Sequence, residues 1–530
     1  MRIVTTLEMK EIERLAVEEF HLDETLIIEN AGAQAAHWFM QNCFKNDQEG
    51  GIIFLLGKGK NGADGLAMAR NLVNLKTKYT IMAFCLYPEH ECSKEFMKQL
   101  KRAQAYGLRV SLLRSVEDLS AYFFQSQKNT IVVDAMFGSG IRLPLPNNVY
   151  DVIRFVNQHA ENIISIDIPS GVEGDSGKTA GSAVRATHTI AIGAPKLGCF
   201  IANGVSHTGQ LHLVNAGFPQ QLFNLGDKFQ VDTNTFQEIL SYRSKYAHKN
   251  FNGHTLVIGG SLGLTGALVL ATQASKRVGS GLVTALTWEE NHLEYLTRQI
   301  PEIMSAVIPA DEKTWNSFSQ WFEHFDSIVI GPGLGRDQRA TSILKKVLTS
   351  FQGPVVVDAD AIHLLNLKED ASILANRKFP TVLTPHFGEF AQLLSLSKEQ
   401  AFIESLTHLK DAVHQTASVI ILKGPCTSIA FPSGKIYFNF FPNEGMATGG
   451  TGDVLAGILG GMLAQEFARI RQHDYGYSKP IDIEKIILMA IALHTHAGFF
   501  AKQQLGSRAM SASSLIENFP QAFEVLEKMV

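Results

Sequence analysis

Short, almost wholly apolar runs recur through this chain, several of them closing on glycine or aspartate and leading into a helical pattern. In the first half they are Gly51–Leu56, Tyr79–Leu86, Thr130–Val133 and Asn162–Ile168, separated by helix-like stretches such as Gly65–Leu75 and Ser93–Tyr106. A run that is apolar on both of its alternating faces has no side to offer water, so it belongs in a parallel sheet covered by helices on both sides. His254–Ile258, Ser327–Ile330, Pro354–Val357, Thr381–Leu383 and Val419–Leu422 repeat the pattern in the second half. Thr427–Phe431 and Lys435–Phe440 predict a hairpin about Pro432-Ser433-Gly434. The expected class is α/β, doubly wound, with ligands beyond the carboxyl ends of the strands.

The chain has 530 residues, more than one hydrophobic core usually supports, so two domains are expected. Gly217-Phe218-Pro219 and Gly226-Asp227 mark the boundary, giving a domain over 1–217, a linker over 218–228 and a domain over 229–530. Hydrophobic residues at 45% and charged residues at 18% exclude a disordered chain. Lys and Arg total 47 against 51 Asp and Glu, a net charge of −4, which lacks the basic excess of a nucleic-acid or membrane-surface binder. Five cysteines without a CxxC pair argue against a disulfide framework or a cysteine zinc site and suit a reducing compartment. Met1–Phe20 shows no signal-peptide core, and the apolar runs Ile486–Leu493 and Val454–Ala464 are too short to span a bilayer. A soluble, cytoplasmic protein is expected, with small-molecule ligands.

Three strand ends in the first half carry polar clusters. Gly57-Lys58-Gly59-Lys60-Asn61-Gly62-Ala63-Asp64-Gly65 follows the first strand, Asp134 leads into Ala135–Gly140, and Asp167 leads into Ile168-Pro169-Ser170-Gly171. Glycines let the backbone turn sharply and present amides to an anion at a helix start. No Gly-Lys-Ser/Thr closes the first loop, so it is not a P-loop. Alone, it also reads as a glycine turn with a capping aspartate; three such ends on one sheet edge point to a site. Asn61, Asp134 and Ser170 are hard oxygen ligands for a monovalent or other hard cation. Gly138–Pro144, containing Arg142, could hold a phosphate.

In the second half, Gly449-Gly450-Thr451-Gly452-Asp453 precedes an apolar helix expected from Val454. Consecutive amides at a helix start form an anion hole, and an aspartate there can take a proton from a hydroxyl. The plainer reading is an aspartate favoured by the helix dipole. His386, after Thr384-Pro385, could likewise cap a helix from Gly388. His494 and His496 at i, i+2 do not share a helix face, which speaks against a metal there.

The Gly-x-Gly-x-Asn-Gly-x-Asp-Gly, Asp-Ala-x-Phe-Gly-x-Gly and Asp-x-Pro-Ser-Gly segments resemble the YjeF N-terminal domain over about Met1–Gly217, the epimerase of hydrated NADH and NADPH. The resemblance implies a Rossmann-like sheet, with substrate contacts at Lys60, Asn61, Gly62, Ala63 and Asp64. It implies further contacts at Gly138, Ser139, Gly140, Ile141, Arg142, Leu143 and Pro144, and at Asp167, the candidate acid/base, whose proton work Asp64 could share. Potassium would be held by Asn61, Asp134 and Ser170. Family members commonly carry Asn-Asn-Gly-Gly-Asp, where this chain has Lys60 and Ala63; Lys60 would substitute by charge.

The Gly-x-Gly-Asp at the anion hole resembles the ribokinase-like superfamily. His248-Lys249, Leu256–Ser261, Thr265-Gly266-Ala267, Gly331–Gly335, Asp358–Ala361, Thr384–Glu389 and Lys423–Thr427 resemble the YjeF C-terminal domain over about Phe229–Val530. That family is the ADP-dependent dehydratase of hydrated NAD(P)H. Asn250 stands where glycine often follows the lysine, and Glu444 where proline is common. The resemblance implies that Ala267, Gly333 and His386 contact the hydrated dinucleotide. Lys423, Gly424, Pro425, Cys426, Thr427 and Gly452 would bind ADP with Mg2+, and Asp453 would be the base. The expected activity is bifunctional: interconversion of the R and S hydrates, then dehydration of the S form with release of AMP and phosphate, in a homo-oligomer. Two other readings stay open: a kinase of a small hydroxylated metabolite, and a first domain that only binds.

Overall fold

A computed structural model describes residues 1–43, 50–75, 79–125, 130–231, 248–309, 319–473 and 482–528. The chain divides into two compact units, Met1–Lys228 and Phe229–Val530. The first takes in the whole segment expected as a linker, 218–228, whose Phe218 is buried in its core.

The first unit is built on β1 (Gly50–Leu56), β2 (Tyr79–Cys85), β3 (Arg109–Leu112), β4 (Ile131–Ala135), β5 (Asn162–Ile166), β6 (His188–Ile192) and β7 (Gln210–Val214). Their order is β3-β2-β1-β4-β5-β6-β7, and all neighbours run parallel. Every residue of β1 is buried: Ile52, Phe54 and Leu56 enter one core, Ile53 and Leu55 another on the opposite face. Each such side chain contributes about 2 kcal/mol by leaving water. Strand order reverses between β1 and β4, so their carboxyl ends open a crevice at the place where such sheets bind ligands. The four expected strands are present. β3, β6 and β7 were not legible: β3 is a part-exposed edge, and the burial of β6 rests on threonine, alanine and only two isoleucines. The helix expected from Gly65 starts at Lys60 and runs to Asn74. Much of the glycine-rich segment is therefore helix, and only Gly57–Gly59 forms the turn.

The second unit adds β8 (Lys228–Gln230) at the boundary, then β9 (His254–Ile258), β10 (Leu282–Thr287), β11 (Met304–Val307), β12 (Ser327–Ile330), β13 (Val355–Val357), β14 (Thr381–Leu383), β15 (Val419–Leu422), β16 (Cys426–Ala430) and β17 (Ile436–Phe440). The order is β11-β10-β9-β12-β13-β14-β15-β16-β17-β8. It is parallel from β11 through β15 and turns antiparallel at β16 and β17, the expected hairpin. The helix Thr451–His473 lies close against its neighbours because three glycines face them. A Cβ on Gly457 would stand 2.2 Å from the Ala271 carbonyl oxygen, and one on Gly460 2.1 Å from Val329 Cγ2.

Among the described residues one helix, Ile483–Ala509, is long and apolar enough to cross a membrane by length and composition, longer than the apolar run Ile486–Leu493 suggested. It continues through His494, Thr495 and His496 and then through Gly498–Ala501, where Gly498 and Ala501 are again buried. Its most apolar window is 56% buried inside the unit, as in a core helix.

Candidate active sites

In the first unit the ends of β1, β4, β5 and β6 open on a cavity of about 830 Å3. Gly57 sets the spacing: a Cβ there would stand 1.7 Å from the Met136 carbonyl oxygen, so only glycine lets the ends of β1 and β4 come this close. Gly59 caps the helix from Lys60 without a side chain, leaving its first amides uncapped toward the cavity rim.

Asp134, the penultimate residue of β4, is fully buried. It accepts hydrogen bonds from Ser165 Oγ at 2.8 Å, Ser170 N at 2.9 Å, Ser170 Oγ at 2.6 Å and Met136 N at 3.2 Å. Burial pushes its carboxyl above the usual range, and these bonds offset only part of that. Ser170 Oγ also accepts from Phe137 N at 3.0 Å, and Asn61 lies against Gly138. Among the described residues neither polar side-chain atom of buried Asn61 has a hydrogen-bond partner. A buried carboxylate bonded only by neutral donors, near an orphaned amide oxygen, fits a hard monovalent cation.

Asp167 follows β5 at φ +70°, a conformation that costs a non-glycine residue about 1–2 kcal/mol. It is held there by its N–H to Ile190 O at 2.7 Å, by Ser139 N to Oδ2 at 3.1 Å, and by Lys196 Nζ against Oδ1. Lys196 is 2% exposed and also donates to Ile192 O at 2.9 Å. Asp64 lines the same cavity. Burial, then the charges of Asp167 and Glu13, push its carboxyl well above the usual range against the pull of Lys196 and Lys60.

The cavity thus gathers Lys60, Asn61, Asp64, Gly138, Ser139, Gly140, Ile141 and Asp167. Gly62 and Ala63 do not line it. With the helix starting at Lys60 they turn inward, Gly62 against Gly57 and Ala63 into the core. Arg142, Leu143 and Pro144 do not line it either, as the chain leads away toward the helix from Asn147. Lys60 Nζ is paired with Glu13 at 3.1 Å and Glu24 at 2.9 Å. Sequence reasoning missed Lys196 and the wall supplied by the helix Thr6–Glu18, including Met9, Lys10 and Glu13. The Pro195-Lys196 step just beyond β6 was a signal only once β6 was known to be a strand.

In the second unit five parallel strand ends meet. The loops after β9 and β12 are tied by Gly260 N to Pro332 O at 3.0 Å and Ser261 N to Gly333 O at 2.6 Å. Gly333, at φ +59°, belongs to that tie, and Ala267 sits in the first turn of the helix Thr265–Arg277 beside it. After β13, Asp358 is buried and accepts Thr384 Oγ1 at 2.6 Å and Lys423 Nζ at 2.7 Å. Asp360 receives Gly335 N at 3.0 Å and Arg336 Nε at 2.7 Å. After β14, His386 caps the helix Phe387–Leu393, its Nδ1 accepting from Gly388 and Glu389. The capping reading is therefore real, while most of the imidazole stays exposed.

The helix expected from Val454 starts at Thr451, so Gly452 and Asp453 lie in its first turn. Gly450 precedes it at φ +93°, and a Cβ on Gly452 would stand 3.3 Å from Lys423 Nζ. Burial, then the charge of Asp358, pushes Asp453 up to about 7 despite Lys423. Burial pulls Lys423 down, but Asp358, Glu389 and Asp453 outweigh it and leave the ammonium above its ordinary range. His494, kept neutral by burial with a pKa of about 4, donates from Nε2 to Thr451 O at 2.9 Å and steadies the helix start. Gly424 lies against Phe387, and Cys426 turns its side chain into the sheet, so these positions offer backbone rather than side chain. Asp358, Asp360 and Glu389 were quoted as motif letters but not as site residues. A lysine, a carboxyl with raised pKa and a glycine-lined helix start are the parts of a phosphoryl-transfer centre.

A family model described as NAD(P)H-hydrate dehydratase matches residues 255–521, and one described as YjeF-related protein N-terminus matches residues 24–198. The bifunctional NAD(P)H-hydrate repair enzyme of Moorella thermoacetica is 32% identical, over 100% of this chain and 98% of its own. That of Coxiella burnetii is 31% identical over 96% of each. Among solved structures, an ADP/ATP-dependent NAD(P)H-hydrate dehydratase from Bacillus subtilis, co-crystallised with ATP/Mg2+, is 27% identical at a TM-score of 0.47, covering 55% of this chain and 98% of its own.

Proposed function

This chain belongs to the bifunctional NAD(P)H-hydrate repair enzymes, and from that premise we propose how its two units divide the work. The first interconverts the R and S hydrates of NADH and NADPH. The second dehydrates the S form with ADP, releasing AMP and phosphate and restoring the reduced cofactor.

The observation that carries the assignment of the second unit is Asp453 in the first turn of its helix, next to Gly452, where a Cβ would stand 3.3 Å from Lys423 Nζ. Asp453 takes the proton of the ring hydroxyl as that oxygen attacks the terminal phosphate of ADP. Lys423 and the amides of Gly449–Gly452 neutralise charge on the transferring group. The ring nitrogen then expels phosphate, a far better leaving group than hydroxide. The resulting N=C cation loses a proton from the adjacent ring carbon to solvent, which restores the reduced ring. Ala267, Gly333 and exposed His386 face the dinucleotide, and Lys423–Thr427 with Gly452 hold the nucleotide. Mg2+ bound with ADP would supply further charge neutralisation.

In the first unit Asp167 is the acid/base. Lys60, Asn61, Asp64 and Gly138–Ile141 contact the substrate. Asn61, Asp134 and Ser170 would hold potassium, whose charge would balance buried Asp134 and favour the anionic part of the substrate. The reading includes action in the cytoplasm as a homo-oligomer, which fits the cysteine content and is checked by light scattering.

The test is recovery of reduced-nicotinamide absorbance from mixed-epimer hydrated NADH on adding protein and ADP. Full recovery, with the R form consumed faster than it converts alone, is expected. Recovery of the S fraction only would make the first unit a binding module. A stable phosphorylated product without recovery would make the second a small-molecule kinase.

A further inference from the structure

We propose that Lys196 is a positioning residue for epimerisation, fixing Asp167 as the carboxylate that accepts a proton while Asp64 serves as the proton donor. The proposal rests on the epimerase reading of the first unit and assigns roles within that site.

Three geometric facts carry it. Lys196 comes from the loop after β6, is 2% exposed, and places Nζ between Asp167 Oδ1 and the Ile192 carbonyl. A lysine desolvated this far is costly unless paired, and its one charged partner by contact among the described residues is Asp167. Asp167 is itself in a left-handed conformation that its neighbours must enforce, with Ser139 N on Oδ2 and Lys196 on Oδ1. Asp64, from the helix after β1, and Asp167 and Lys196, from the loops after β5 and β6, line one cavity, so three ionisable groups face the same ligand space. Two carboxylates near one another cannot easily both ionise. Among the described residues the buried ammonium contacts the Asp167 carboxylate, which divides base from acid. The direction of the Asp64 shift agrees.

The chemistry of the substrate needs this division. Its hydroxyl sits on a carbon bonded to the ring nitrogen. As the nitrogen lone pair forms the N=C bond, the C–O bond breaks and Asp64 gives its proton, so water leaves. A water on the opposite face then forms the new C–O bond, its proton passes to Asp167, and the N=C electron pair returns to nitrogen. One water leaves and one enters. Asp64 loses one proton and Asp167 gains one, and exchange with solvent, or a turnover in the reverse direction, restores them. Lys196 changes no bond; it holds the Asp167 carboxylate in place. The charged and titratable groups around the pair are Glu13, Lys60 and the buried Cys199 thiol.

The experiment uses the full-length chain with Lys196→Met and Lys196→Arg, reading R-to-S conversion of hydrated NADH, with dehydration of the pure S form as the control for an intact protein. The expected result for Lys196→Met is a fall in epimerase kcat of about 100-fold, the scale of lost general base function, with KM changed by less than about threefold. The acidic limb of the pH profile should move to higher pH, because the site loses its buried cation. Lys196→Arg should recover part of kcat and return the limb. Unchanged kcat and pH profile in Lys196→Met would overturn the proposal. So would a rise in KM alone, or a loss that Lys196→Arg does not relieve and that tracks loss of near-ultraviolet circular dichroism. A wild-type chain that does not speed the conversion overturns the epimerase reading itself and this proposal with it.

Discussion

Lys423 Nζ and Asp358 Oδ1 lie 2.7 Å apart although 65 positions separate the two residues, because β13 and β15 deliver their carboxyl ends to one place. Asp358 is 1% exposed and has no other cation within reach among the described residues. Lys423→Met strands that charge and should destabilise the second unit by about 3 kcal/mol. Adding Asp358→Asn should recover most of the loss. Denaturant unfolding of the two single variants and the double variant measures the coupling, and additive losses would refute it.

Asp453 makes dehydration pH-dependent. A base whose pKa lies at about 7 must be ionised, so kcat/KM should rise through that pH. Asp358→Asn removes the neighbouring charge and should move the limb to lower pH. The sign for stability is opposite. The folded value lies above the ordinary 3.8, so between the two the native state holds a proton the unfolded chain has released, and stability falls as pH rises through about 7. Asp453→Asn should therefore raise Tm more at pH of about 8 than at pH of about 5, while dehydration falls by about 100-fold or more. An equal change in Tm at both would count against the shifted carboxyl.

His386 serves as a cap through Nδ1 and leaves the rest of its ring exposed. Asparagine caps equally well, so His386→Asn should unfold within about 0.5 kcal/mol of wild type, whereas His386→Ala should lose about 1 kcal/mol. Both should raise KM for the hydrate in the dehydratase assay. A normal KM in His386→Asn would leave the histidine with the cap alone.

Exchange of potassium for lithium should slow epimerisation and leave dehydration of the S form unchanged, because Asn61, Asp134 and Ser170 belong to the first unit. Asn61→Ala should do the same and weaken the dependence on potassium concentration. Thermal shift against added KCl, at constant ionic strength, gives a readout that does not need substrate. A midpoint indifferent to potassium in the wild-type chain would count against the site.

Gly450 stands at φ +93°, and a Cβ there would meet Leu270 Cδ1 at 2.5 Å and Ala512 Cβ at 2.9 Å. Gly450→Ala should displace the helix start, cost about 2 kcal/mol and lower dehydration, with R-to-S conversion retained. Retained dehydration at normal ADP affinity would show that the loop tolerates the change.

The central strands and the order of the glycine motifs were legible because they follow from local rules. A run with no polar face must be covered on both sides, and a glycine between a strand and a helix must turn. Hence β1, β4, β9 and β12, and the positions of Asp134, Asp167 and Asp453, were within reach of the sequence. Edge strands such as β3 and β11 lack that double-sided pattern, and β6 is too short and too rich in small residues to stand out. What only the tertiary structure decided is the state of the charges. Lys196 reads as a surface lysine until β6 is placed beside β5, and Lys60 as a free cation until Glu13 and Glu24 come against it. A charge is set by what surrounds it through space, and the neighbours that matter here lie many residues away along the chain.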